Sequence, residues 1–155
     1  MLPIRLLHRV ETHWDAIAAA VIEQTRIDPN TPHHQELDDE ELHARARDLV
    51  HNLGTWLTSQ DADALARRYE EVGRQRCREG VPLAEAVYKL HLIEQKTVDY
   101  IQYSNIAQNA TEIFGELEIL RALHRFFAIV VHSMVRGYED AASRERWSAR
   151  RMHAS

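Results

Sequence analysis

Among 155 residues there is a single cysteine, Cys77, so no disulfide can form within the chain and a reducing compartment is the expected setting. Glycine and proline are scarce, at five and four residues, which argues against a disordered or fibrous chain and leaves few points where regular structure must stop. Long hydrophobic runs are missing too. The densest, Phe126 to Val131, is six residues, far below the roughly 20 that a membrane-spanning helix needs. Charge interrupts the apolar residues of Met1 to Arg9 before a signal-peptide core can form. A basic excess is absent: 19 Lys and Arg stand against 24 Asp and Glu, a formal charge of −5, which is the wrong sign for a general nucleic-acid binder. Neither Gly-x-Ser-x-Gly, nor a phosphate-binding glycine loop, nor His-Glu-x-x-His, nor Cys-x-x-Cys occurs. The expectation is a cytoplasmic, non-enzymatic protein without nucleic-acid or membrane partners.

What is present is helical periodicity throughout. Leu6, Val10, Trp14, Ile17, Val21 and Ile22 keep the three-and-four spacing of an amphipathic helix over about Leu2 to Arg26. The prolines Pro29 and Pro32 then mark a loop in which His33-His34 reads as exposed polar sequence. Asp38 with Glu41 three residues on has the form of a capping box, and Asp38-Asp39-Glu40-Glu41 suits the positive end of a helix carrying Leu42, Ala46, Leu49, Val50, Leu53 and Trp56 or Leu57. Ser59-Gln60-Asp61 caps a third helix to about Glu79, with Leu65, Tyr69, Val72 and Gly73 on one side. A fourth, Pro82 to about Ile106, has Leu83, Val87, Leu90, Val98 and Ile101 as its expected buried stripe. Thr111-Glu112 suits the start of a fifth. That helix, Ile113 to Tyr138, is apolar on two faces, Leu117, Leu120, Phe127, Val131 and Met134 on one and Ile119, Leu123, Phe126 and Val130 on the other. Such a helix belongs in the middle of a bundle or between two chains, so Phe126, Ile129 and Val130 are the expected interface of a homodimer. Beyond Tyr138 the apolar stripe ends without a helix breaker. The division is a helical domain over 1–140 and a polar helical extension over 141–155. The fold class is all-α, a five-helix bundle with a long C-terminal helix.

Three groups of residues carry chemical potential. His91, Glu94 and His124, with Phe127 beside them, are the candidate ligand-binding residues, because facing helices could bring two imidazoles and a carboxylate together as bundle metal sites do. Their spacing matches no metal signature, so the first expectation is no cofactor, with haem or a transition metal on those three residues as the alternative. Glu40-x-x-His43 occurs once, whereas carboxylate-bridged bundles use the motif twice. Cys77, between Arg76 and Arg78, is a candidate redox thiol, since adjacent cations lower a thiol pKa. Helix neighbours nevertheless diverge by about 100°.

The junction Arg76-Cys77-Arg78-Glu79-Gly80-Val81-Pro82-Leu83 joins the third and fourth helices: Gly80 suits a left-handed helix terminator and Pro82 the first turn of the next helix. The run Arg68 to His91 that contains it, with the capped start at Asp38 upstream, resembles the N-terminal input domain of RsbR/RsbRD-type co-antagonists, bacterial regulators of stress and sigma-factor signalling. The same turn is similar to that of globin-coupled sensors, whose haem-ligating histidine lies four residues before the glycine. Here that position is Arg76, which stays protonated and cannot ligate iron. The resemblance therefore implies a haem-free, globin-like sensor domain that relays a signal to a regulatory protein or output domain.

Overall fold

The computed structural model describes residue 8, residues 11–103 and residues 110–154. Among them are five α-helices and no strand: α1 (Trp14–Ile27), α2 (Asp39–Ser59), α3 (Ala62–Arg78), α4 (Leu83–Tyr103) and α5 (Ala110–His153), with a 3-10 turn (His34–Glu36) between α1 and α2. The all-α bundle with a long C-terminal helix is as expected. Leu6 and Val10 of the expected first stripe lie outside the described residues, as do the polar residues 104–109. The expected helix from Leu2 to Arg26 is interrupted at His13, whose backbone sits at φ −102° and ψ 14°, and α1 starts afresh after it. The fifth helix begins at Ala110, slightly ahead of the expected Thr111-Glu112 start.

Local chemistry fixes the helix ends. The Asp38 carboxylate accepts from the Glu41 N–H at 2.8 Å, and that of Asp61 from the Ala64 N–H at 3.0 Å, each satisfying a donor that the first turn leaves unpaired. Gly80 has φ +77°, and around it the Val81 N–H donates to the Arg76 carbonyl at 3.1 Å and the Gly80 N–H to the Cys77 carbonyl at 3.0 Å. These close α3 in the manner of a glycine C-cap. The Tyr138 hydroxyl donates to the Val81 carbonyl at 2.5 Å, tying the turn to α5.

The core is centred on Phe126 of α5, which is 0% exposed. Its ring lies 5.9 Å from that of Trp56, 6.5 Å from Tyr69 and 5.2 Å from Phe127, the last two edge to face. Ile17 and Val21 from α1, Leu49, Leu53 and Leu57 from α2, and Ile93 and Ile101 from α4 complete it. Phe126 and Val130, expected at a dimer interface, are thus covered within their own chain, and Ile129 is half-buried against the same core. The two apolar faces of α5 exist because helices pack on both, so no second chain is needed to cover these residues. Leu117, expected on a buried face, is instead half exposed, as is Ile113, and Phe114 beside them is 70% exposed.

The expected stripe of α4 also needs correction. Ile101 is buried, but Leu83, Val87, Leu90 and Val98 are only half-buried, and the innermost positions are Glu85, Ala86, Lys89, Leu92, Ile93 and Thr97. The helix is rotated toward its charged residues because the α1–α2 connection supplies partners for them.

Helix α5 packs most extensively on α3. At the crossing, a Cβ on Gly73 would fall on the Met134 carbonyl oxygen and 2.8 Å from the Tyr138 nitrogen, and a Cβ on Gly137 would fall on the Glu70 carbonyl oxygen and 2.8 Å from its Cα. The two main chains therefore touch, and only glycine fits on either side. Beyond the crossing α5 runs unbroken to His153, without a break at residue 140, and from Ser143 onward its side chains are exposed. Replacing Gly73 or Gly137 by alanine must separate the helices. Each substitution is expected to lower stability by about 2–4 kcal/mol in a denaturant titration, more than an ordinary overpacked site because rigid main chain, not a side chain, must give way.

Candidate functional site

The structure does bring His91, Glu94 and His124 together, but at the surface. His91 Nδ1 is 3.6 Å and His124 Nδ1 3.9 Å from the Glu94 carboxylate, and the two imidazoles are 59% and 83% exposed. Phe127, expected beside them, is instead buried in the hydrophobic core. Separations of this size are loose ion pairs between solvent-facing rings and one carboxylate. Among the described residues no group of three His, Cys, Asp or Glu is placed to hold a metal ion.

Cys77 is partly exposed, with Sγ 4.0 Å from the Glu145 carboxylate. Burial and then Glu145 push its thiol above the ordinary value, and Arg78 only partly offsets them. The flanking arginines are engaged elsewhere, Arg76 with Glu79 at 3.4 Å and Arg78 with Glu71 at 3.4 Å. Adjacency in sequence gives the thiol no activating contact.

The polar groups that are buried lie where α1, the α1–α2 connection and α4 meet. His34, read from sequence as exposed, is 2% exposed, and Glu85 is 5%. The Glu85 carboxylate accepts from the main-chain N–H groups of His33 at 3.0 Å and His34 at 2.8 Å and from the His34 ring Nδ1. It thereby caps the 3-10 turn from a different helix, meeting donors that have no partner within the turn. Burial tends to raise its pKa, but the hydrogen bonds from His33 and His34 outweigh this and hold it below the ordinary carboxylate value. For His34, burial outweighs the bond to Glu85 and pushes the pKa down, so the ring is neutral and Nδ1 carries the donated hydrogen.

One turn along α4, Lys89 Nζ donates to the Thr25 hydroxyl, which itself donates to the Val21 carbonyl at 2.7 Å. Burial first, then the charges of Arg26 and Arg45, push the Lys89 ammonium down to about 8, against the opposing pull of Glu85. Between them the Tyr88 hydroxyl donates to Asp28 at 2.6 Å, and the Thr31 hydroxyl reaches the Thr25 carbonyl at 2.8 Å. The whole α1–α2 connection is held by α4 through polar contacts.

Beside this network a cavity of about 470 Å³ opens between α2, α3 and α4, a size suited to a small ligand. Leu42, Leu49, Val72, Leu90, Ile93 and Met134 supply apolar wall, and His34, Arg45, Arg68, Arg76 and Lys89 line it too. Arg45 bonds Glu41 at 2.8 Å and Glu79 at 3.2 Å, and Arg76 shares Glu79. Burial and the neighbouring Arg45 push the Arg76 pKa below its usual value, while Glu79 counteracts them. Arg76 thus lines the cavity and is paired with a carboxylate. No protein family, curated protein or solved structure matches the chain.

The network makes stability depend on pH in two directions. In acid, the unfolded chain protonates His34 at its ordinary value of 6.5 before the buried ring does, so stability falls as pH drops below 6.5. Glu85→Gln removes the charge that three donors share and is expected to destabilise by about 2–4 kcal/mol at pH 7. The difference from wild type should narrow as pH falls below 4.5, because the unfolded carboxyl takes up its proton there while the native one is still held charged. In base, between about 8 and 10.5 the unfolded chain holds the Lys89 proton more tightly than the folded one, so stability rises with pH across that window. Lys89→Met should abolish that rise and add about 1–3 kcal/mol at pH 7, by relieving a desolvated charge. Chemical denaturation at a series of pH values checks both.

Proposed function

We propose that the protein is a non-enzymatic sensory input domain of bacterial regulatory signalling, of the RsbR type that its Gly-Val-Pro junction resembles, with the α2–α3–α4 cavity as its input site. The observation that carries the reading is the main-chain contact of α3 with α5 at Gly73 and Gly137. One wall of the cavity is α3, so an occupant that moves it must also move α5, which extends past the bundle toward an output partner. The relay works only if the occupant binds two helix packings with different affinity. No helix among the described residues is long and apolar enough to cross a membrane.

The homodimer belongs to the same reading. With Phe126 and Val130 in the core, its support shifts to the exposed apolar side chains Ile113, Phe114 and Leu117 at the start of α5. Sedimentation at micromolar concentration is expected to give a dimer, and Phe114→Glu a monomer. A wild-type monomer would remove this part of the proposal.

The relay can be tested without knowing the signal. Leu90 is half-buried and lines the cavity, so Leu90→Trp fills it from within. Spin labels at the exposed positions Glu40 and Ser148, in a Cys77→Ser background diluted with unlabelled protein, report the distance between α2 and the end of α5. The filled variant is expected to shift that distance distribution. Superimposable distributions in two folded proteins would sink the relay.

A further inference from the structure

We infer that the cavity between α2, α3 and α4 takes a small amphipathic monoanion, its carboxylate held by Arg45 and Arg76 and its hydrocarbon laid against Leu42, Leu49, Leu90 and Ile93. This names a ligand class for the cavity read above as the input site, and it rests on that reading.

The charges around the cavity point to an anion. Arg45 and Arg76 share one carboxylate, Glu79, at 3.2 and 3.4 Å, while Glu41, the other partner of Arg45, is half exposed. Nη1 of Arg45 is enclosed and meets no hydrogen-bond acceptor among the described residues. An enclosed guanidinium N–H without an acceptor is costly, and a carboxylate is the group whose planar pair of oxygens matches it. Lys89 lines the same cavity and forms no ion pair with a carboxylate among the described residues; its ammonium has the Thr25 hydroxyl instead. Of the other acids of the lining, Asp48 is taken by Arg68 at 2.8 Å and Glu71 by Arg74 at 2.9 Å, so with Glu41 and Glu79 set against Arg45 and Arg76 the surplus cation is Lys89.

The other half of the lining excludes a bare inorganic ion as the best occupant. Leu90 and Val72, the half-buried apolar side chains of the lining, would be left against water by phosphate or sulfate, whereas a short hydrocarbon chain covers them. Charge at one end and apolar surface at the other fit one molecule that carries both.

Isothermal titration of the full chain tests this with three probes: octanoate, octanol, which has the chain without the charge, and inorganic phosphate, which has charge without the chain. Octanoate is expected to bind saturably, one per chain, with octanol and phosphate each at least tenfold weaker. Arg45→Gln and, independently, Arg76→Gln should weaken octanoate at least tenfold in protein that keeps its helical circular dichroism, and Arg45→Lys should lie between. Octanol binding as tightly as octanoate, no saturable octanoate binding, or wild-type affinity in the glutamine variants overturns the assignment. The comparison of octanoate with octanol needs no variant, so a variant that fails to fold does not remove the test. Octanoate binding that leaves the spin-label distance unchanged sinks the relay while the ligand class stands. A shift on cavity filling without octanoate binding does the reverse.

Discussion

The arrangement of this protein depends on two helices whose main chains touch. Ordinary helix pairs stand 8–10 Å apart because side chains lie between them. At Gly73 and Gly137 that spacer is absent on both partners, so the third and fifth helices approach until carbonyl oxygens occupy the space where Cβ atoms would otherwise stand. The close crossing determines where Phe126 sits relative to Trp56 and Tyr69. It also sets one wall of the cavity. Around it the Gly80 turn, pinned by Tyr138 to α5, fixes the angle at which α4 departs.

A second kind of constraint works at the opposite side of α4. The α1–α2 connection contains two prolines and two histidines and has little apolar surface to bury, yet it is held in place because Glu85, Tyr88 and Lys89 reach it with directed bonds. Hydrophobic packing tolerates sliding, whereas a carboxylate with three donors accepts one register. The bundle thus combines a glycine crossing that sets distance with a polar cluster that sets rotation.

What could be read in the sequence follows from how local each signal is. Caps at Asp38 and Asp61, the glycine terminator at Gly80 and the apolar periodicity are written within a few neighbouring residues, so the helices and most of their ends were legible. Glu85 and Lys89 were not, because a charged residue on a helix reads as solvent-facing unless its partner is known, and His34 stands 51 residues from Glu85. The same limit explains His91 and His124: helical periodicity places a side chain on a face but does not say which neighbour leaves that face open. The two apolar faces of α5 are legible from Ile119 to Met134 but not at Leu117, and whether the second face is covered by the chain itself or by a copy is a tertiary fact. Gly137 carries no local signal at all, since a glycine within a helix looks like a weakness until the carbonyl opposite it is known.

The outer part of α5 has a mechanical implication. From Gly137 to His153 the helix is continuous, and at 1.5 Å per residue this is an arm of about 24 Å beyond the point where its backbone meets that of α3. A tilt of about 10° at that point would swing the tip by roughly 4 Å, and a twist about the axis would turn Trp147 and Met152 through the same angle. A displacement too small to detect beside the cavity would thus arrive at the far end as a change comparable to the size of a side chain.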